Sequence, residues 1–121
     1  MSSSIKIAPP NSLLFVSDQG GGATPNIIRG SSIWSTPSCI AVSCYTFADG
    51  PTAVMLGQSR EVAPKSRPAF DGNLETPSGV VTITFVGGRQ VLREPVSGRN
   101  ARVRVWTNHP NEPDEVIIGL E

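Results

Sequence analysis

The chain has 121 residues, of which 38% are hydrophobic, and its ten basic and ten acidic side chains leave no net charge at neutral pH. This length is typical of one folded unit, so we expect residues 1–121 to form a single domain. Most proteins that bind nucleic acid carry a basic excess, and a membrane span needs about 20 apolar residues, so both kinds of partner are disfavoured.

The beginning of the chain shows no processing signal. Residues 1–10 lack the apolar run that follows the basic region of a signal peptide, which predicts a cytoplasmic protein. The 12 glycines and 11 prolines indicate many turns, and many turns in a short chain favour short β-strands.

Short apolar runs separated by turn residues fill the first part of the chain. Residues 13–16 form the first run and the glycine-rich residues 18–22 close it, while residues 27–28 and 33–34 are brief apolar pairs. The longest β-type segment is 38–47, and both of its faces are apolar, which predicts a strand covered on both sides.

Two cysteines, Cys39 and Cys44, lie within that segment. Along a strand their Cα atoms would be about 17 Å apart and their side chains would point to opposite faces. A disulfide requires a Cα separation below about 7 Å, so we predict two reduced, buried thiols.

The middle of the chain predicts a hairpin followed by a long polar segment. Asp49 and Gly50 form a favoured hairpin turn, after which residues 52–56 would pair back on 38–47. Residues 57–79 are polar and contain three prolines. A loop of that length is unusual in a compact domain, so it is either functional or contains a short edge strand near residues 69–70.

The second half shows clearer strands. Residues 80–86 are rich in β-branched side chains, Gly87 and Gly88 predict a hairpin turn, and residues 89–93 return. Residues 101–106 alternate strictly, which predicts that Ala101, Val103 and Val105 face inward and that the arginines and the tryptophan between them face outward. Residues 115–121 form a last apolar strand.

These signals amount to seven to nine short strands and no helix. We therefore predict an all-β fold, an antiparallel two-sheet β-sandwich, with a small β-barrel as the alternative.

Nothing in the sequence forms a catalytic or metal-binding set. His109 is the only histidine, no Gly-x-Ser-x-Gly motif is present, and one histidine with two divergent cysteines does not provide a zinc site. The Asp-Gly-Asn sequence at 71–73 fits a turn better than a calcium loop. We predict no catalytic residues, no metal and no cofactor, and an enzyme centred on His109 is the third-ranked hypothesis.

Charge is segregated near the C-terminus. Residues 89–104 hold five arginines and one glutamate, whereas residues 105–121 hold four acidic residues and no lysine or arginine. If the two terminal strands pair, the arginines can face Glu115 or Glu121, which is a structural explanation. Arginine and tryptophan are also enriched at protein interfaces. This second interpretation predicts a partner-binding surface formed by Arg102, Arg104, Trp106, Asn108 and His109.

Residues 80–121 follow a recognisable layout: a β-branched strand, a glycine turn, a basic return strand, a strand ending in Trp106 and Thr107, and a terminal apolar strand. This layout resembles the competence-protein-J type of nuclease inhibitor and similar small bacterial proteins. The resemblance implies a β-sandwich that binds and restrains a partner protein.

The functional prediction is a non-catalytic cytoplasmic binding module, of the inhibitor or immunity type, that acts through a protein–protein surface. The alternative is a small-ligand or carbohydrate binder that uses Trp34, Tyr45 or Trp106 as a stacking platform. An exposed sheet edge would also allow two copies to form a homodimer, although the sequence does not identify the edge strand.

Overall fold

The computed structural model describes residues 2–9, 12–28, 30–44, 50–64, 66–109 and 113–121. Within these ranges the chain forms ten strands and one short helix. In chain order they are β1 (Ser3–Ile7), β2 (Leu13–Asp18), β3 (Ile33–Thr36), β4 (Cys39–Ser43), β5 (Thr52–Gln58), α1 (Ser59–Val62), β6 (Phe70–Glu75), β7 (Val80–Phe85), β8 (Gln90–Pro95), β9 (Asn100–Thr107) and β10 (Glu115–Leu120).

The strands form two five-stranded sheets. Sheet A has the order β1-β5-β10-β9-β6, and sheet B has the order β3-β4-β2-β7-β8. All pairings are antiparallel except that of β5 with β10, which is parallel. The sheets are not closed into a barrel. The predicted β-sandwich is therefore confirmed, and the alternative of a small barrel is wrong.

The core lies between the inner faces of the two sheets. Alternation along each strand sends every second side chain into it, as Val103 and Val105 of β9 and Leu14 and Val16 of β2 show, each with no exposed surface. Large apolar side chains from both sheets complete one continuous cluster between the sheets.

Several sequence predictions are confirmed. The 57–79 segment contains an edge strand, β6, which begins at Phe70. Strands β7 and β8 form a hairpin, and both turn glycines have the positive φ angles that favour glycine, 99° at Gly87 and 92° at Gly88. Strand β4 is buried on both faces, since Cys39 through Val42 are all inaccessible.

Two elements were not predicted. The single turn α1 is closed by the Ala63 N–H, which donates to the Ser59 carbonyl at 2.8 Å, and four residues are too few to produce a helical period. Strand β1 was not predicted because only two of its five residues, Ile5 and Ile7, are apolar.

None of the helical residues that the structure describes forms a segment long and apolar enough to cross a membrane.

The predicted pairing of residues 52–56 with the long β-segment is wrong. Both sides of β4 are occupied, by β3 and β2, and β5 lies instead in the other sheet between β1 and β10. The connection therefore crosses from one sheet to the other. The turn residue Asp49 and the side chains of Tyr45 and Phe47 lie outside the described residues.

Candidate interaction surface

The outer face of sheet A carries the outward side chains of β9. This strand lies between β10 and β6, and Ala101, Val103 and Val105 point into the core. The alternate positions, Arg102, Arg104 and Trp106, point outward as the sequence predicts. They occupy three successive positions along one face and differ strongly in exposure, so they have different roles.

The two arginines form what we call the charged network, together with Asp71 of β6 and Glu121 after β10. Arg102 donates from Nε and Nη2 to both carboxylate oxygens of Asp71, at 2.8 and 2.7 Å. Arg104 lies 3.2 Å from Glu121 and 3.7 Å from Asp71, while Arg102 reaches Glu121 at 3.9 Å. Each charge therefore contacts two of opposite sign.

The strand register explains this geometry. Asp71 pairs directly with Arg104, and the backbones of Arg102 and Glu121 exchange two hydrogen bonds of 2.9 Å each. The predicted pairing with Glu121 is thus present, and no ion pair joins either arginine to Glu115 among the described residues. The network remains accessible, since the side chain of Arg102 is 47% exposed and that of Arg104 is 25% exposed.

The network also shifts the protonation equilibria of its members. The hydrogen bonds from Arg102 lower the pKa of Asp71, and the positive charges of both arginines act in the same direction. The same hydrogen bonds, with the charge of Asp71, raise the pKa of Arg102. Both shifts favour the charged forms of Asp71 and Arg102, and so stabilise their ion pair.

Trp106 faces outward but is not exposed. Only 5% of it is accessible, and its indole Nε1–H donates to the Ser66 carbonyl at 3.0 Å. The segment that follows β5 covers the ring. Gly119 on β10 has no side chain, and this leaves room for the Trp106 ring and for Ser59 of the covering segment. A methyl group at position 119 would come within 2.7 Å of Ser59 Oγ and 3.0 Å of Trp106 Cζ3. The 57–79 segment therefore covers the ring, and Trp106 does not present the accessible face that a stacking platform needs.

Asn108 and His109 extend the same strand into the β9–β10 connection. Asn108 Nδ2 donates to Asp114 Oδ1 at 2.6 Å, and its Oδ1 accepts from the Glu115 N–H at 3.2 Å, so this side chain ties the two ends of the connection together. His109 is exposed at the beginning of the connection. Arg102 and His109 thus lie toward opposite ends of β9 and the residues that extend it, with the covered Trp106 between them.

Asp71 is the member of the network that sequence reasoning missed. The Asp-Gly-Asn sequence predicts a turn at this position. However, the polar residues at 71, 73 and 75 alternate with Phe70 and Leu74 in the two-residue period of a strand. That alternation would have placed Asp71 on an outward face beside the arginines.

The cysteines have no evident chemical role in this surface. Both are reduced and buried, and they lie on opposite faces of sheet B, since Cys44 belongs to the core cluster and Cys39 lines the outer face. Burial raises the pKa of Cys39 to about 11 and that of Cys44 to about 12. In the part of the chain that the structure describes, no cluster of three or more histidine, cysteine or acidic side chains is arranged to hold a metal ion.

Two five-stranded, largely antiparallel sheets in this order place the chain in the β-sandwich class. Among solved structures, its fold is similar to that of ComJ from Bacillus subtilis, an inhibitor of the DNA-degrading activity of NucA. The similarity covers 99% of this chain and 93% of ComJ with a TM-score of 0.63 and 11% sequence identity. The resemblance seen over residues 80–121 therefore extends, as a likeness of fold, to nearly the whole chain.

A second solved structure, described as Crocagin biosynthetic gene J, matches with a TM-score of 0.48 and 14% identity, over 98% of this chain and 94% of that one. No protein-family model matches the sequence. A search of curated proteins found no match either.

Proposed function

We propose that this protein binds and restrains a partner protein, as an inhibitor or immunity protein, and has no catalytic activity of its own. The charged network carries this proposal, because it presents two arginines and two acidic side chains, each within 4 Å of two partners of opposite sign, on an accessible sheet face. The fold similarity to ComJ supports an enzyme that degrades DNA as the partner.

The network is suited to recognition because it is preorganised. Arg102 donates two of its five N–H groups to Asp71, and this two-bond contact orients the guanidinium group. Its other N–H groups are not used by Asp71. A side chain that is already ordered loses less entropy when a partner binds. Because the charges balance, this surface is better matched to a protein with complementary charges of both signs than to a polyanion.

Asn108 and His109 form the second part of the proposed surface. Asn108 holds the connection between β9 and β10, and so fixes where the exposed His109 lies relative to the arginines. Trp106 contributes indirectly, since its hydrogen bond to Ser66 anchors the segment that borders the surface. It offers no accessible ring for stacking, which also weakens the alternative of a ligand platform at this position.

The test compares two double variants with the same change in charge. Arg102→Ala/Arg104→Ala removes both arginines of the network, and Arg89→Ala/Arg93→Ala removes two exposed arginines at the other sheet. Immobilised wild-type protein is used to capture partners from an extract of its source cells, and the binding of each captured protein is then measured with both variants.

We expect the network variant to bind at least about tenfold more weakly, since truncating important interface residues costs more than about 1.4 kcal/mol. The Arg89/Arg93 variant should bind as the wild type does. The purified partner should lose enzymatic activity, DNA degradation first, on addition of the wild-type protein. Equal binding by the two variants, or full partner activity in a saturated complex, would contradict the proposal.

A further inference from the structure

The outer face of sheet B contains a groove that the proposed partner surface does not use. Its volume is about 390 Å³, within the range of small-molecule sites. Outward side chains of β2 and β7 form its floor, the glycine-rich loop after β2 forms one wall, and the β7–β8 turn forms the other. It lies on the opposite side of the molecule from the charged network.

The strand register defines the floor of the groove. Phe15 of β2 pairs with Thr84 of β7, which in turn pairs with Gln90 of β8. Two residues further along β2, and therefore on the same face, Ser17 pairs with Thr82. The floor is therefore an aromatic ring surrounded by hydroxyl and amide groups.

The groove has no available charge. Among the described residues that line it, Asp18 is the only acidic one and none is basic. Both carboxylate oxygens of Asp18 already accept hydrogen bonds, from Gly20 N–H at 2.8 Å and from the Ser78 N–H and hydroxyl at 3.0 and 2.8 Å. Cys39, with its pKa raised to about 11, is a neutral thiol at physiological pH. A phosphate, carboxylate or ammonium ligand would lose its hydration here without gaining a counter-charge.

The polar side chains of the groove are nevertheless open to a ligand. Gln19 and Gln90 are exposed and Thr84 is partly exposed, and their side chains make no hydrogen bond to any other residue that the structure describes. A purely apolar ligand would remove these groups from water without replacing their hydrogen bonds, which is unfavourable. The groove is therefore matched to a neutral ligand with many hydroxyl groups and one apolar face.

We propose that this groove binds a short neutral oligosaccharide. A sugar ring presents hydroxyl groups around its rim, which can bond to the Thr84, Gln19 and Gln90 side chains, and an apolar face of C–H groups, which can pack on Phe15. The wall glycines Gly87 and Gly88 have no side chains, so a ring can approach the backbone closely.

The test is a titration of the ¹⁵N-labelled protein with single probes, followed by amide NMR. The neutral probes are maltotriose, cellotriose and N,N′,N″-triacetylchitotriose, and the acidic probe is trigalacturonate. We expect at least one neutral probe to shift the amide resonances of Gly21, Gly22, Gly87 and Gly88, with a Kd on the order of 1 mM. Trigalacturonate should produce no shifts there.

Two variants and one control locate the site. Thr84→Ala and Gln90→Ala should each weaken binding about fivefold, which corresponds to the loss of one hydrogen bond. Asn73→Ala, an exposed change on sheet A, should leave binding unchanged. The absence of shifts with all three neutral probes at about 20 mM, more than tenfold above the expected Kd, would overturn the proposal. It would also fail if the acidic probe shifted the same resonances equally or if both groove variants bound as the wild type does.

Discussion

Asp18 connects the loop that follows β2 with the loop that precedes β7. Its replacement by asparagine tests how strongly the fold depends on that connection. Its side chain is inaccessible at the end of β2, where Oδ2 accepts one hydrogen bond from Gly20 and Oδ1 accepts two from Ser78. The asparagine side chain would keep the shape of the group but would have one acceptor oxygen and a donor amide in place of the second. At least one of the three hydrogen bonds must then be lost.

The loss of at least one of these three hydrogen bonds sets the expected decrease in stability. A hydrogen bond to a charged group contributes about 1.5–3 kcal/mol, so we expect Asp18→Asn to lower the free energy of unfolding by at least about 1.5 kcal/mol. Domains of this size are stable by only about 5–15 kcal/mol, so the loss is readily measurable.

The pH dependence provides a second signature. Burial by itself raises the pKa of Asp18, but the hydrogen bonds from Gly20 and Ser78 outweigh it and lower the pKa below its usual value of 3.8. The stabilisation is therefore fully present above the unfolded pKa and is lost as the pH falls through the lower, folded pKa. The difference in stability between wild type and variant should be constant at neutral pH and shrink below 3.8.

Urea unfolding of both proteins at a series of pH values measures this difference. Asp71→Asn is the matched control, since it removes an exposed carboxylate whose ion pairs are screened by salt, and its effect should fall as the salt concentration rises. The effect of Asp18→Asn should be nearly independent of salt. A loss below about 0.5 kcal/mol, which is ordinary for surface positions, or a loss unchanged down to acidic pH, would refute this account of Asp18.

Two further predictions concern the packing of buried groups. Gly119→Ala should lower the free energy of unfolding by about 1–3 kcal/mol, because the added methyl group collides with Ser59 and Trp106. Combining it with Ser59→Ala, which removes a buried hydroxyl without a hydrogen-bond partner among the described residues, should recover part of the loss in urea unfolding, and no recovery would contradict this explanation. Burial raises the pKa values of Cys39 and Cys44, so a thiol reagent at neutral pH should modify them only when the protein unfolds. Rapid modification of the native protein would instead show that a thiolate is accessible.

The sequence predicted the parts of this fold that depend on short-range patterns. The Gly87–Gly88 turn follows the β-branched strand β7 directly, so local composition alone indicates the hairpin. The alternation along β9 likewise placed Arg102 and Arg104 on the outer face, because side-chain direction in a strand follows a two-residue period.

The parts that failed depend on contacts between distant segments. A turn at residues 49–50 does not specify whether the following strand stays in its sheet or crosses to the other, and β5 crosses because both neighbours of β4 are already in place. The covering of Trp106 arises in the same way. It depends on the missing side chain of Gly119 in the adjacent strand, which lets the ring and α1 approach.

The parallel pairing of β5 with β10 implies an order of folding. Val54 pairs with Val116, about half the chain away, and this contact lies in the middle of sheet A. Pairs of consecutive strands that close over short connections are present in both sheets, β3 with β4 and β7 with β8 in sheet B and β9 with β10 in sheet A. Because closing long loops is slow, we expect the hairpins of sheet B to become protected in pulse-labelled hydrogen exchange before any amide of β5. Within the proposed partner surface, the β9–β10 hairpin that carries Arg102 and Arg104 would then form before β6 brings Asp71 from 31 residues away.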